Sequence, residues 1–267
     1  MHRLTYTRSS YKSNRERVSF WARICPSAFV FSHIASIVFK GSAKAKRGDY
    51  DTAAWCWSSL SSLRALEQAG IRIEIEGTEH FTTLKGPCVF VANHMSTLET
   101  FVLPVLIAPF KDATFVVKKS LVDYPVFKHI MRARDPITVG RVNPRDDLRA
   151  VLEGGTERLK AGRSVIIFPQ TTRAAHLDPE TFNSIGIKLA KKAGVPVVPI
   201  ALKTDAWGTG RWLKDFGRID PSKTVHFAFG KALAVSDRGN EEHKAIVKFI
   251  TNKLKEWGGE TISAALF

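Results

Sequence analysis

A histidine and a glutamate five residues apart, His94-Met95-Ser96-Thr97-Leu98-Glu99, directly follow the apolar run 88–92. A second polar stretch, Phe168-Pro169-Gln170-Thr171-Thr172-Arg173, closes the apolar run 164–168. A hydroxyl is a poor nucleophile, and a histidine is the first candidate for the base that would deprotonate it near neutral pH. Such a base needs a partner that fixes its tautomer and balances the charge it gains. In a helix opened by residues 94–99, Glu99 would lie about one turn and a third from His94. It would then reach one imidazole nitrogen and leave the other for a substrate. The second stretch gathers backbone N–H groups, two hydroxyls, an amide and a guanidinium, a set that suits a phosphate. Gly140-Arg141, after the apolar residues 136–139, could add a second cation.

Taken singly, each feature has a plainer reading. His94 could cap a loop beside a helical Glu99. Asn93 could be a turn or cap residue, Arg173 a solvated charge at a strand-end turn, and Arg141 a surface charge.

The elements around these residues follow from periodicity. Ile71, Ile73 and Ile75 alternate with Arg72, Glu74 and Glu76, as in a half-buried strand. Residues 88–92, 114–117, 136–139, 164–168, 195–201 and 224–229 read as buried strands. Helical patterns lie near 99–108, 125–132, 145–161, 181–193 and 241–257. This alternation predicts an α/β fold with a mostly parallel central sheet flanked by helices. Ligands in such folds collect outside the carboxyl ends of strands, where both focal motifs fall.

Ahead of this region, residues 18–39 are mostly apolar but interrupted by Arg23 and Pro26, leaving 14 uncharged residues at 26–39. A spanning helix needs ~20. No small-residue cleavage pattern follows, which speaks against a signal peptide. Basic flanks around a short apolar stretch fit a helix lying in the interface of an anionic membrane, with a spanning helix and a core helix as the other readings. A second helix is expected from an N-cap at Asp51 to Ala69, stopped by Gly70. The two would form a membrane-associated two-helix motif. The expected division is residues 1–70 as a docking element and 71–267 as the α/β domain.

The 267 residues carry a net charge of +15, and +9 of it falls within residues 1–48. The partners are therefore expected to be anionic. Nucleic acid is not expected among them, because the basic excess flanks an apolar segment and does not interleave with stacking aromatics on a polar face. Cys25, Cys56 and Cys88 are scattered and odd in number, as idle thiols of a reducing compartment would be. No His, Cys and acid cluster has ligand spacing, so no metal is expected. His80, His129, His176 and His226 lack a comparable context. Trp55, Trp57, Trp207 and Trp212 read as packing residues or interface anchors.

Four blocks occur in order: Asn93-His94-x4-Glu99, Gly140-Arg141, Phe168-Pro169-x-x-Thr172-Arg173 and Val195-Pro196-Val197-Val198-Pro199. Together they resemble the glycerolipid acyltransferase superfamily, whose familiar member is 1-acylglycerol-3-phosphate acyltransferase. The likeness covers about residues 70–230. It implies that His94 is the catalytic base and Glu99 the carboxylate that orients it. It also implies that Arg141 and Arg173, with Gln170, Thr171 and Thr172, bind the acceptor, and that Pro199 is structural. The reaction implied is transfer of a fatty acyl chain from acyl-CoA or acyl carrier protein to a lysophospholipid hydroxyl, with no bound cofactor. Lysophosphatidate is the leading acceptor. The expected location is peripheral or monotopic on the cytoplasmic face of a membrane. Three residues depart from the family pattern: Glu99 stands for Asp, Gln170 for Glu and Thr171 for Gly. The last two leave room for another acceptor, such as an ornithine lipid, a lipid A precursor or another lysolipid. A non-catalytic lipid-binding protein of the same fold is the rival from another class.

Overall fold

Gly48, at a φ of 83°, breaks the chain after the first long helix, and the Asp51 side chain then caps the next by accepting from Ala54 N–H at 2.8 Å. In the computed structural model, which describes residues 3–7, 9–13, 18–170, 172–211 and 213–261, these helices are α2 (Pro26–Lys46) and α3 (Thr52–Gln68). They are preceded by β1 (Tyr11–Lys12) and α1 (Phe20–Ile24). Then come β2 (Arg72–Glu76), α4 (Glu79–Thr82), β3 (Val89–Ala92), α5 (Leu98–Ile107), β4 (Ala113–Lys118), α6 (Lys119–Asp123) and α7 (Phe127–Ala133). The chain continues with β5 (Ile137–Val139), α8 (Pro144–Lys160), β6 (Ser164–Ile167), α9 (Ile185–Ala193), β7 (Val197–Lys203), β8 (Thr224–Phe229) and α10 (Asn240–Glu256).

The strands form one sheet in the order β1-β2-β8-β7-β3-β6-β4-β5. Among the described residues only the β1–β2 and β7–β8 pairings are antiparallel. The expected α/β fold with a mostly parallel, helix-flanked sheet is therefore present. The strands β7, β3 and β6 are buried on both faces over most of their length, and β4 over its first half, which is why they read as continuous apolar runs. Pro199 sits inside β7 with its carbonyl facing β8, where Gly230 N–H donates to it at 2.8 Å. The missing N–H faces the same way and is tolerated because pairing with β8 starts only at Ile200.

The N-terminal helices bury apolar residues against the rest of the protein. Val30, Ile34 and Val38 of α2 and Leu63 and Leu66 of α3 belong to the same apolar cluster as Phe90 and Phe115 of the sheet. The α3–α5 contact is locked by Ser59. Pro104 sits inside α5, and near it the Ser59 hydroxyl enters the helix, donating to Phe101 O at 2.6 Å and accepting from Val105 N–H at 2.9 Å. No described helix is long and apolar enough to cross a membrane.

Asn93 does more than cap a turn. Its amide donates to Leu202 O and accepts from Leu202 N–H, both at 2.8 Å, so the side chain extends the β3–β7 ladder by one rung. Asn93→Ala would leave both buried backbone groups unpaired. It should cost about 2–4 kcal/mol of stability, read by urea denaturation. An unchanged midpoint and slope would show that the rung contributes nothing.

Candidate active site

Because β7, β3, β6, β4 and β5 run parallel, the segments that follow them share one edge of the sheet. That edge gathers His94 after β3, Gly140-Arg141 after β5, Phe168–Arg173 after β6 and Thr204 after β7. Residues 94–97 form a loop, and the helix expected near 99–108 follows it. The helix starts at Leu98, and Glu99 lies in its first turn, where a carboxylate is favoured.

From there Glu99 reaches back over the loop. Its Oε1 accepts from His94 Nδ1 at 2.8 Å, Met95 N–H at 2.7 Å and Ser96 N–H at 3.0 Å. Its Oε2 accepts from the Thr204 hydroxyl at 2.6 Å, and the Ser96 hydroxyl lies 2.9 Å away. The side chain is fully buried. Burial alone would raise its pKa. The bond and charge of His94, the Thr204 hydroxyl and the Ser96 N–H together hold it below the ordinary glutamate value. A carboxylate only accepts, so Nδ1 of His94 carries the proton and neutral Nε2 keeps a lone pair. The imidazole stacks on Phe168, with centroids 4.3 Å apart. Gln170 Oε1 accepts from His94 N–H at 2.6 Å, and His94 O accepts from Ala174 N–H at 2.9 Å.

The residues expected to bind an anion divide. Gln170 is turned inward, with its amide oxygen committed to the backbone of His94, so it supports the base and does not offer that oxygen to a ligand. Thr171 and Trp212 lie outside the described residues. Thr172, Arg173 and Arg141 line a cleft of about 1130 Å³ that also holds His94. Arg173 forms an ion pair with Asp215 at 2.6 Å and bonds to the Thr97 hydroxyl. Arg141 has a left-handed backbone, φ 57°, fixed by Asp147, whose carboxylate accepts from the N–H groups of Gly140 and Arg141 at 2.7 and 2.9 Å. Its pKa is lowered by burial, against the pull of Asp147. Away from these polar groups the cleft is lined by Ile34 and Val38 of α2, Phe101 of α5, Phe115 and Val117 of β4, and Ile130 of α7. A base, cations and a long apolar wall suit an amphiphile with an anionic head. No cluster of three or more His, Cys, Asp or Glu side chains placed to hold a metal ion occurs among the described residues.

Four contributors carry no signal in the sequence: Ser96, Thr97, Thr204 and Asp215. Ser96 and Thr97 sit inside the first motif as common polar residues, whereas topology brings in Thr204 and Asp215 from more than a hundred residues beyond His94. His226, by contrast, is a sheet residue stacked on Trp257, as its place in a strand run suggests.

Folding lowers the pKa of Glu99, so its carboxylate adds stability above the ordinary carboxylate range. That stability is lost as pH falls through the folded value. Glu99→Gln should therefore cost roughly 1.5–3 kcal/mol near pH 7, and the gap to wild type should close on acidification. Denaturation curves from pH 7 downward check this; a gap that widens in acid would contradict the assignment of a buried, ionised Glu99.

A family model described as Acyltransferase matches residues 72–203, from β2 to the end of β7. A 1-acyl-sn-glycerol-3-phosphate acyltransferase of Pseudomonas aeruginosa is 30% identical over 247 residues, 92% of this chain and 90% of that protein. A chloroplastic enzyme of Brassica napus with the same descriptive name, BAT2, is 33% identical over 140 residues. Those are 52% of this chain and 38% of the plant protein, so the match spans under two fifths of that relative. The crystal structure of the 1-acyl-sn-glycerophosphate (LPA) acyltransferase PlsC from Thermotoga maritima superimposes with a TM-score of 0.65 at 19% identity. It covers 89% of this chain and 96% of that one, a likeness of fold. With three of its four motifs gathered at one sheet edge, the fourth leading into β7, and a relative matched over nine tenths of both chains, the chain belongs to the acyltransferase family, within the glycerolipid acyltransferase superfamily.

Proposed function

We propose that this acyltransferase moves a fatty acyl chain from a thioester donor, acyl-CoA or acyl carrier protein, to the free hydroxyl of lysophosphatidate. One observation carries the reading: His94 Nε2, left as a base by the Glu99 contact, stands in a cleft with an apolar wall and two arginines. The names of the Pseudomonas and Brassica relatives support the same acceptor. In this reading Nε2 takes the hydroxyl proton as the oxygen attacks the thioester carbonyl, and Glu99 balances the imidazolium. The tetrahedral intermediate collapses, an ester bond replaces the thioester bond, and the proton passes to the departing thiolate. The hydroxyl of the acceptor is the nucleophile, so no serine or cysteine of the protein is acylated. Arg141 and Arg173 hold the phosphate, and the apolar wall takes acyl chain.

We also infer a peripheral or monotopic seat on an anionic membrane, with residues 1–70 as the docking element. Phe20, Trp21 and Ile24 of α1 and Phe39 of α2 are exposed, and Arg23 and Lys40 lie beside them in sequence. Burying a large apolar side chain is worth about 1.5–3 kcal/mol, and a basic residue near an anionic surface about 1 kcal/mol.

His94→Ala should lower transfer to lysophosphatidate by ~10²–10⁴ in protein that still folds, as read by circular dichroism at a temperature below its lowered melting transition. Near-normal turnover in this variant would refute the mechanism. In an acceptor panel lysophosphatidate should be preferred; preference for an ornithine lipid, a lipid A precursor or another lysolipid would reassign the headgroup. In vesicle sedimentation, wild type should stay bound at high salt and be released by detergent. A Phe20→Ser/Trp21→Ser variant should come off in salt. This variant is a cleaner test than deleting residues 1–48, because Val30, Ile34 and Val38 are core residues. A wild-type protein that never sediments with anionic vesicles would overturn the membrane reading.

A further inference from the structure

Asp215 belongs to none of the motifs, yet its carboxylate closes a three-membered contact at the polar end of the cleft. Its Oδ1 lies 2.6 Å from Arg173 Nη1 and accepts from the Thr97 hydroxyl at 3.1 Å. The Thr97 oxygen in turn accepts from the same Nη1. Nη1 is thus engaged by both residues, in an ion pair with Asp215 and a hydrogen bond to Thr97. A guanidinium has five N–H donors. Those on Nε and Nη2 remain, and they form one edge of the planar fork that matches two oxygens of a phosphate.

The described residues 204–211 and 213–223 around Asp215 are a built support. Their backbone packs so tightly that a Cβ on Gly217 would lie 2.0 Å from Gly208 O, and one on Gly210 2.2 Å from Leu213 O. Asp215 O accepts from Trp207 Nε1 at 2.9 Å, and the buried Trp207 ring stacks on Phe101 of α5 with centroids 5.8 Å apart. Phe31 of α2 meets Trp207 and Phe216 edge-on at 5.2 and 5.3 Å. Asp215 is therefore anchored on both sides by aromatic packing that ends on α2 and α5, two of the helices walling the cleft.

We propose that Asp215 is a positioning residue of the acceptor site. With Thr97 it holds the Nη1 end of Arg173 and leaves the Nε–Nη2 edge for the phosphate of the acceptor. This rests on the reading of lysophosphatidate as acceptor. The sign of the effect separates orientation from charge. A carboxylate beside Arg173 lowers the local positive charge, so by charge alone its removal would tighten anion binding. Orientation predicts the reverse.

The test is steady-state kinetics of the full-length protein in mixed micelles, with lysophosphatidate varied at saturating acyl-CoA and then the converse. Asp215→Ala should raise the acceptor KM about tenfold and leave the donor KM in place. Asp215→Asn, which keeps an acceptor oxygen without the charge, should show a smaller rise and guards against a misfolded alanine variant. In an Arg173→Ala background, Asp215→Ala should add nothing, because its effect passes through Arg173. A lower acceptor KM would show that Asp215 competes with the phosphate. A rise in both KM values, or an additive loss on top of Arg173→Ala, would make it a general support of the loop. Each of these overturns the proposal. If wild type acylates lysophosphatidate and neither Asp215 variant changes the acceptor KM, only this inference fails. If wild type prefers a phosphate-free lysolipid, the acceptor reading falls, and the role of Asp215 with it.

Discussion

The carboxylate of Glu99 is fully withdrawn from water, and a buried charge is tolerated only where donors replace its hydration. Those donors come from separate places: the loop after β3 supplies His94, Met95 and Ser96, and the end of β7 supplies Thr204. Meeting that demand pins the first turn of α5 to two parallel strands. It also decides the chemistry. A charged acceptor on Nδ1 leaves Nε2 as the basic atom, and the Phe168 face holds the ring plane. The same contacts that make the burial tolerable therefore make the histidine a base.

The cleft extends that constraint outward. Its apolar wall is built from α2, α5, β4 and α7, the elements that meet around Phe101 and Phe115. Ser59 mends the helix at Pro104 and so ties α3 to the helix that holds Glu99. On the other side, Phe31, Trp207 and Asp215 connect α2 to Arg173. The N-terminal helices and the polar end of the cleft thus share a continuous set of contacts. A change in how α2 is seated would be felt at Arg173.

Much of this was legible in the chain. The strands announce themselves because both faces are buried, which turns an alternating pattern into runs such as 88–92 and 164–168. The N-cap at Asp51 and the stop at Gly70 were readable from turn chemistry. The His94–Glu99 contact followed from spacing, although the helix begins only at Leu98. What could not be read depends on sequence-distant partners. Thr204 and Asp215 reach the site through the crossing of β7 and the fold of residues 204–211 and 213–223, and nothing in their neighbours marks them. Gln170 was placed with the anion loop by its motif, but one side-chain rotation puts its oxygen on the His94 backbone instead. The burial of one face of α2 was likewise hidden, since a short apolar helix with basic flanks looks the same whether it covers protein or lipid.

Nitrogen-15 NMR of histidine-labelled protein, with His94 assigned by its loss in His94→Ala, tests the central claim most directly. For the neutral imidazole the Glu99 contact requires a proton on Nδ1 and a bare Nε2, and Glu99→Gln should weaken that preference. A neutral His94 carrying its proton on Nε2 would contradict the account, because the atom facing the substrate hydroxyl would then have no lone pair with which to take its proton.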